Sequence, residues 1–232
     1  MRIVKVKTSS SDYVYDELKK EIMFLELLPG QTVNEVETAG RFSVSRTPIR
    51  DAFKRLEVEG LIEVRRGHGT FVSLINIDEI DDIMFMREVL EIAAVKEIGA
   101  LTRSEKIELE LLLLGQRELL DGDLDDFGLS RTFLEHDNEL HEAIFRLANK
   151  PNVWKRISSD RPHYNRLRVL TNLYRRDELE RLYEEHKVIV AAIADHNYAA
   201  IDTYYRRHLH RGMENLSEIV SRNRSFFTGN NK

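Results

Sequence analysis

Apolar positions in the first quarter of the chain recur with a helical period and then give way to short extended runs. Tyr15, Leu18, Ile22 and Leu25 are spaced by three and four, which places them on one face and predicts an amphipathic helix over 11–27. Leu28-Pro29-Gly30 punctuates its end. A shorter helix over 34–41 opens on Asn34, whose side-chain oxygen suits an N-cap, and Phe42-Ser43-Val44 follows as a turn. A third helix is expected from Ser45 to Glu59. Pro48 is tolerated there because first-turn amides have no intrahelical partner, and Gly60 suits the position just past the end. Val36, Ala39, Val44, Ile49, Phe53 and Leu56 are the expected inward-facing set. Leu61 to Val64 and Thr70 to Val72 have strand character, and Arg65-Arg66-Gly67-His68-Gly69 between them carries two glycines that fit a tight turn.

From Asp78 onward the pattern is helical, with segments expected over 78–100, 104–121, 124–148, 151–173, 176–195 and 198–222. The fold class this implies is mostly α: an N-terminal winged helix-turn-helix followed by an all-helical bundle. The corresponding division is a flexible arm over 1–10, a winged helix-turn-helix over 11–74, a linker over 75–79, a helical domain over 80–224 and a tail over 225–232.

Composition narrows the functional classes. With 232 residues, 42% of them hydrophobic, the chain has room for two ordinary domains. It has no cysteine, which excludes disulfides and thiolate metal sites and leaves only nitrogen and oxygen ligands. The N-terminus lacks an apolar secretion segment, and the run from Leu111 to Gly115 is far too short to span a bilayer, so no membrane partner is expected and the expected location is cytoplasmic. The net charge of −5 is unevenly spread. Residues 1–75 carry 12 basic and 11 acidic side chains, residues 76–232 carry 23 and 29, and the stretch 41–70 carries 7 and 4. A local basic patch governs phosphate binding more than the whole-chain sum does.

That patch lies on the helix-turn-helix. The second helix of such a unit presents its first residues to the major groove, here Ser45, Arg46, Thr47 and Arg50, where arginine matches guanine bidentately and hydroxyls reach phosphate or base edges. Arg65, Arg66, His68 and Gly69 sit on the wing, within reach of an adjacent groove or backbone. The bland alternative is a set of ordinary solvated charges, and it is stronger for the wing arginines than for the helix.

A second constellation lies in the helical half. Asp137 and His141 are four apart and share a helix face, His186 lies on a later helix and His208 on the last. One carboxylate and three imidazoles on facing helices can hold zinc, nickel, iron or manganese. The chain has eight histidines, and a histidine taken at random is more often a surface or satisfied core group. His136 and His210 are expected to point elsewhere, and His68, His163 and His196 to belong to the wing, loops or surface.

The stretch PGQTVNE followed by FSVSRTPIRDAFKRLEVEGLIEVRRGHGTFV resembles the head of GntR-family regulators, in order and spacing, over about 65 residues. It departs in the second helix, where Thr38-Ala39 stands in place of the usual Leu-Ala. Residues 78–222 resemble the helical FCD sensor domain of the FadR-type branch, through Arg87 with Glu91, FLEHDNELHEAIFRLANKP, EEHKVIVAAIADHN and RRHLH. That resemblance implies a divalent transition metal, zinc or nickel, held by Asp137, His141, His186 and His208, which helps to hold a small carboxylate effector. It argues against a fatty-acyl effector, since the acyl-binding relatives lack these ligands. Arg87 is then the candidate partner for the effector carboxylate, its alternative being a salt bridge to Glu91, and Arg166, Arg168, Tyr164 and Asn172 are candidates to line the same cavity. One head reads a half-site, so a homodimer on a near-palindromic double-stranded operator is expected, with much of the contact coming from the helical domain by resemblance.

Three functions compete: an effector-responsive DNA-binding regulator, a DNA-binding protein with a purely structural metal, and a metalloenzyme built on a helical bundle. The chain carries no nucleophile elbow, phosphate loop or dinucleotide fingerprint. Glu142, the nearest conceivable base, faces about 100° away from His141 on its helix. No enzyme activity is expected.

Overall fold

The computed structural model describes residues 9–159, 162–172, 175–211 and 213–229 and divides into two compact units, one over 1–76 with 223–232 and the other over 77–222. None of its described helices is long and apolar enough to cross a membrane.

In the first unit, α1 (Ser10–Met23) starts where the Ser9 side chain accepts from the Asp12 amide, and it buries Val14, Tyr15, Leu18 and Ile22. It is shorter than its apolar spacing predicts because the chain turns at Leu25, which has φ +62°. After β1 (Thr32–Val33), Asn34 caps α2 (Glu35–Phe42) by accepting from the amides of Val36 and Glu37. Ser43, in the left-handed region, ends α2 and turns the chain into α3 (Arg46–Val58). Val36 does not face inward. The Asn34 cap sets the phase of the short helix so that Thr38 and Ala39 are buried and Val36 is left 55% exposed. Ile49, Phe53 and Leu56 are buried, and Val44 packs against them partly exposed.

The strands β2 (Ile62–Arg65) and β3 (Gly69–Val72) form the wing hairpin, with Arg65 opposite Gly69. Gly67 and Gly69 have φ of +75° and +117°, conformations that side chains resist. β1 pairs antiparallel with β3 to give the sheet order β1-β3-β2. Within the stretches expected as linker and tail, β4 (Ile75–Asn76) runs directly into the next helix and pairs in parallel with β5 (Phe227–Thr228), which follows a 3₁₀ turn over Arg224–Phe226.

The second unit contains α4 (Ile77–Glu97), α5 (Arg103–Asp121), α6 (Asp126–Leu147), α7 (Pro151–Ser159), α8 (Pro162–Asn172), α9 (Arg176–Ala194), α10 (Tyr198–Arg211) and α11 (Leu216–Arg222). Two expected helices are each divided. The segment 151–173 gives α7 and α8, and residues 160 and 161 between them are outside those described. The segment 198–222 breaks at a turn over 213–215. α6 runs through the middle, against α4, α5, α7, α8 and α9, while α10 packs on α4 and α9. Its apolar residues Leu129, Phe133, Leu140 and Ile144 are buried, and so are Asp137 and His141 on the same side of the helix.

Candidate functional site

In the first unit, Ser45 is the N-cap of α3 but makes no side-chain cap bond, so its hydroxyl is not spent on the helix. Ser45, Arg46, Thr47 and Arg50 are exposed on the first turns of α3, and Arg65, Arg66, His68 and Gly69 are exposed on the wing. Two of the arginines already have carboxylate partners: Arg50 Nε is 2.9 Å from Glu35 and Arg65 Nη2 is 2.9 Å from Glu63. These exposed pairs are worth little and are exchangeable for phosphate. His68 Nδ1 lies 3.0 Å from the Arg66 carbonyl, which folds the ring back onto the wing turn.

The second unit brings Asp137, His141, His186 and His208 together, all buried, with one ligand atom from each lying within 4.8 Å of every other. One turn of α6 supplies the first two, α9 the third and α10 the fourth. His141 Nε2 is 3.2 Å from His208 Nε2, and His186 Nε2 is 3.3 Å from Asp137 Oδ1. Donors bound about 2.1 Å from a common centre stand roughly 3.0 to 3.4 Å apart, so these separations fit one transition-metal ion. His186 Nε2 is also buried with no hydrogen-bond partner among the described residues, a cost that an ion at this point would remove.

Burial and the neighbouring charges keep Asp137, His141 and His208 in the forms a metal requires. Burial opposes ionisation of Asp137, but the Arg168 guanidinium beside it outweighs that cost and holds the carboxyl well below its ordinary range. Arg168 donates to Asp137 Oδ2 and, at 3.2 Å, to Asn138 Oδ1. Burial lowers the His141 pKa and brings that of His208 down to about 4, so both rings are neutral at neutral pH. Behind the rings, His141 Nδ1 is 2.6 Å from Glu91 Oε2, His186 Nδ1 is 2.7 Å from Gln116 Oε1 and His208 Nδ1 is 3.3 Å from Glu185 Oε2. Burial also opposes ionisation of Glu185, yet His208 and Arg211 bring its pKa down to about 2.

Arg87 is 1% exposed. Its Nε donates to Glu91 Oε1 at 2.5 Å and its Nη1 to the Tyr164 hydroxyl at 2.6 Å. Nη2 is buried without a hydrogen-bond partner among the described residues. The salt bridge to Glu91 is therefore real, and it leaves one donor over. Arg166, also fully buried, donates to the Pro162 carbonyl, lies 3.0 Å from His163 Nδ1 and feels the charge of Glu79. His163, expected on a loop or the surface, is itself buried. The side chain of Asn172 lies outside those described. Glu142 is exposed.

Sequence reasoning missed Gln116, Glu185 and Tyr205, whose hydroxyl lies 3.3 Å from His141 Nδ1. No spacing marks Gln116, which comes from another helix, and Glu185 adjoins His186 in sequence yet serves His208.

A helix-turn-helix with a wing, joined to a helical bundle whose centre is polar and ligand-like, defines a DNA-binding regulator with a separate sensing or structural domain. Residues 10–72 match the gntR family of bacterial regulatory proteins and residues 82–211 match the FCD domain. The chain belongs to the GntR family of DNA-binding transcriptional regulators, in the group that carries an FCD domain. It is 27% identical to the HTH-type transcriptional repressor RspR of Escherichia coli, over 93% of this chain and 92% of that one. It is 29% identical to an HTH-type transcriptional regulator in an unstable DNA locus of Streptomyces ambofaciens, over 92% and 88%. Among solved structures, McbR/YncC of E. coli shares the fold with a TM-score of 0.69 at 21% identity, covering 92% of this chain and 98% of that one. A GntR transcriptional regulator of Rhodococcus sp. RHA1 gives 0.68 at 20%, covering 92% and 99%.

Proposed function

We propose that this regulator binds a near-palindromic operator as a homodimer in the cytoplasm, and that a small carboxylate bound at a metal centre in the FCD domain modulates its operator affinity. Ser45, Arg46, Thr47 and Arg50 read the major groove, and Arg65, Arg66, His68 and Gly69 contact the flanking groove or backbone. Asp137, His141, His186 and His208 hold the divalent ion, zinc or nickel. When bound, the ion supplies a Lewis-acidic positive centre for a carboxylate oxygen.

The observation that carries the effector reading is the buried, unmatched Nη2 of Arg87 near a cluster with ligand spacing. A purely structural metal leaves that donor unexplained; a carboxylate satisfies it. Arg166 sits against His163 and Glu79, a position that makes it a weaker effector partner than Arg87. For the homodimer, α4 leaves Phe85 71% exposed beside Met86 and Val89, the kind of apolar surface that association covers. The company of regulators among its relatives favours a non-enzyme.

An effector acts only through differential affinity for two states of the protein, and a coupling of about 1–3 kcal/mol changes DNA affinity about 5–150-fold. The test is operator binding against a panel of mono- to tricarboxylates with the parent, with Arg87→Ala and with metal-stripped protein. A response confined to the metal-loaded parent supports the reading. A response retained in both altered proteins overturns it.

A further inference from the structure

Each of the three candidate ligand histidines has a carboxylate or amide oxygen within 3.3 Å of the ring nitrogen that faces away from the cluster. We propose that Glu91, Gln116 and Glu185 are positioning residues: they hold His141, His186 and His208 in the Nδ1–H tautomer and so present three Nε2 lone pairs to one ion. The proposal rests on the metal reading above and assigns the groups that orient the nitrogen donors.

Gln116 gives the tightest argument. Its Nε2 donates to the His136 carbonyl at 3.3 Å, and a carbonyl can only accept, so the amide orientation is set by the network. Its Oε1 therefore faces His186 Nδ1, at 2.7 Å, and an amide oxygen also only accepts. His186 Nδ1 must carry the hydrogen. The other ring nitrogen, Nε2, is left with its lone pair directed at the cluster, where it has no hydrogen-bond partner among the described residues.

The same logic holds for the two carboxylates, which are acceptors anchored by their own arginines. Arg87 Nε holds Glu91 Oε1 at 2.5 Å, and Oε2 stands 2.6 Å from His141 Nδ1 without the alignment of a hydrogen bond, with the Tyr205 hydroxyl 3.3 Å from the same nitrogen. Arg211 Nε holds Glu185 Oε1 at 2.7 Å, leaving Oε2 for His208 Nδ1 at 3.3 Å. The gripping residues lie on α4, α5 and α9 and the ligands on α6, α9 and α10, so an ion here ties five helices together. The three grips are not equivalent. A carboxylate raises the basicity of the imidazole it holds, whereas the neutral amide of Gln116 only orients it. Gln116 thus keeps His186 the weakest of the three nitrogen donors and tempers the affinity of the site.

The test uses the full chain and zinc alone. Zinc affinity is measured by competition with a chromophoric chelator for the parent, Gln116→Leu and Gln116→Glu, and long-range ¹H–¹⁵N spectra of the metal-free proteins report the histidine tautomers. The expected results are a loss of about 10–100-fold for Gln116→Leu and parental or tighter binding for Gln116→Glu. His186 should be protonated on Nδ1 in the parent and lose that preference in Gln116→Leu. If Gln116→Leu fails to fold, Glu185→Leu carries the same measurement through His208, with Glu185→Gln as the variant that keeps an acceptor. Parental zinc affinity in a folded Leu variant, or a parent His186 protonated on Nε2, overturns the positioning role while the metal reading stands. A parent that takes up no zinc overturns the metal reading and this proposal with it.

Discussion

Replacing Glu91 with alanine should destabilise the helical unit more than any surface change. Glu91 is fully buried, with one oxygen 2.5 Å from Arg87 Nε and the other 2.6 Å from His141 Nδ1. Its loss leaves a guanidinium that is 1% exposed with, among the described residues, the Tyr164 hydroxyl to meet it. Removing one partner of a buried pair costs about 3–5 kcal/mol because the other charge is left uncompensated. For a unit of this size each kcal/mol lowers the midpoint by about 2–4 °C, so the transition should fall by roughly 6–20 °C. The assay is calorimetry of the metal-free chain at pH 7. The Arg87→Met/Glu91→Leu double variant should recover at least half of the loss, since apolar replacement of a buried pair is often neutral. The pH dependence provides a further check. The charged environment holds the Glu91 pKa below its unfolded value near ~4.3, so its contribution is complete above that pH and fades as pH falls toward the folded value. The gap between parent and Glu91→Ala should therefore narrow below pH ~4.3 by about 1.4 kcal/mol per unit. A loss under about 1 kcal/mol at pH 7, below the range for a broken buried pair, would refute the reasoning.

Three further outcomes follow from the same geometry. Arg46→Ala should weaken operator binding by about 1–3 kcal/mol and relax preference at one base pair, while Arg66→Ala should weaken all sequences alike and reduce the salt slope by about one; anisotropy titrations at several salt concentrations measure both, and parental affinity in each would misplace the interface. Zinc at about 1,000 times its dissociation constant should add about 4 kcal/mol to the parent and almost nothing to His186→Ala, read as the shift in urea midpoint; equal shifts would exclude His186 as a ligand. In metal-free protein the His208 pKa lies at about 4, below its unfolded value of ~6.5, so its stabilising effect is complete above pH ~6.5 and is lost on acidification toward pH 4; His208→Gln should remove about 1.4 kcal/mol per pH unit from the slope of stability in that window, and an unchanged slope would show that His208 is not buried neutral.

The elements of the DNA-binding unit were legible because their signals are local. Asn34 caps its helix through contacts two and three residues away, and the wing turn needs the glycines it has; the Ser9 cap, within the stretch expected as an arm, was not foreseen. The same locality explains the error at Val36, since α2 is only eight residues long and offers few apolar positions to fix its phase. β1, β4 and β5 were missed because each is two residues long and takes its partner from elsewhere: Thr32 pairs with Phe71, and Ile75 with Phe227. In the bundle, the Asp137–His141 spacing puts both on one face of α6, so half of the cluster is visible in sequence. That His186 and His208 converge on it depends on how α9 and α10 cross, which no spacing encodes. Gln116 and Glu185 carry no signal at all, because an acceptor for an imidazole is defined only by the ring it meets.

The most direct test of the central claim is anomalous scattering from crystals of the full chain purified without chelator, soaked with a carboxylate that alters operator binding. The account predicts one transition-metal peak about 2.1 Å from Nε2 of His141, His186 and His208 and from an Asp137 oxygen, with a carboxylate bridging the ion and Arg87 Nη2. A cluster with no anomalous peak after incubation with zinc or nickel would contradict the metal centre. A closed four-coordinate ion with the carboxylate bound elsewhere would contradict its role as the sensor.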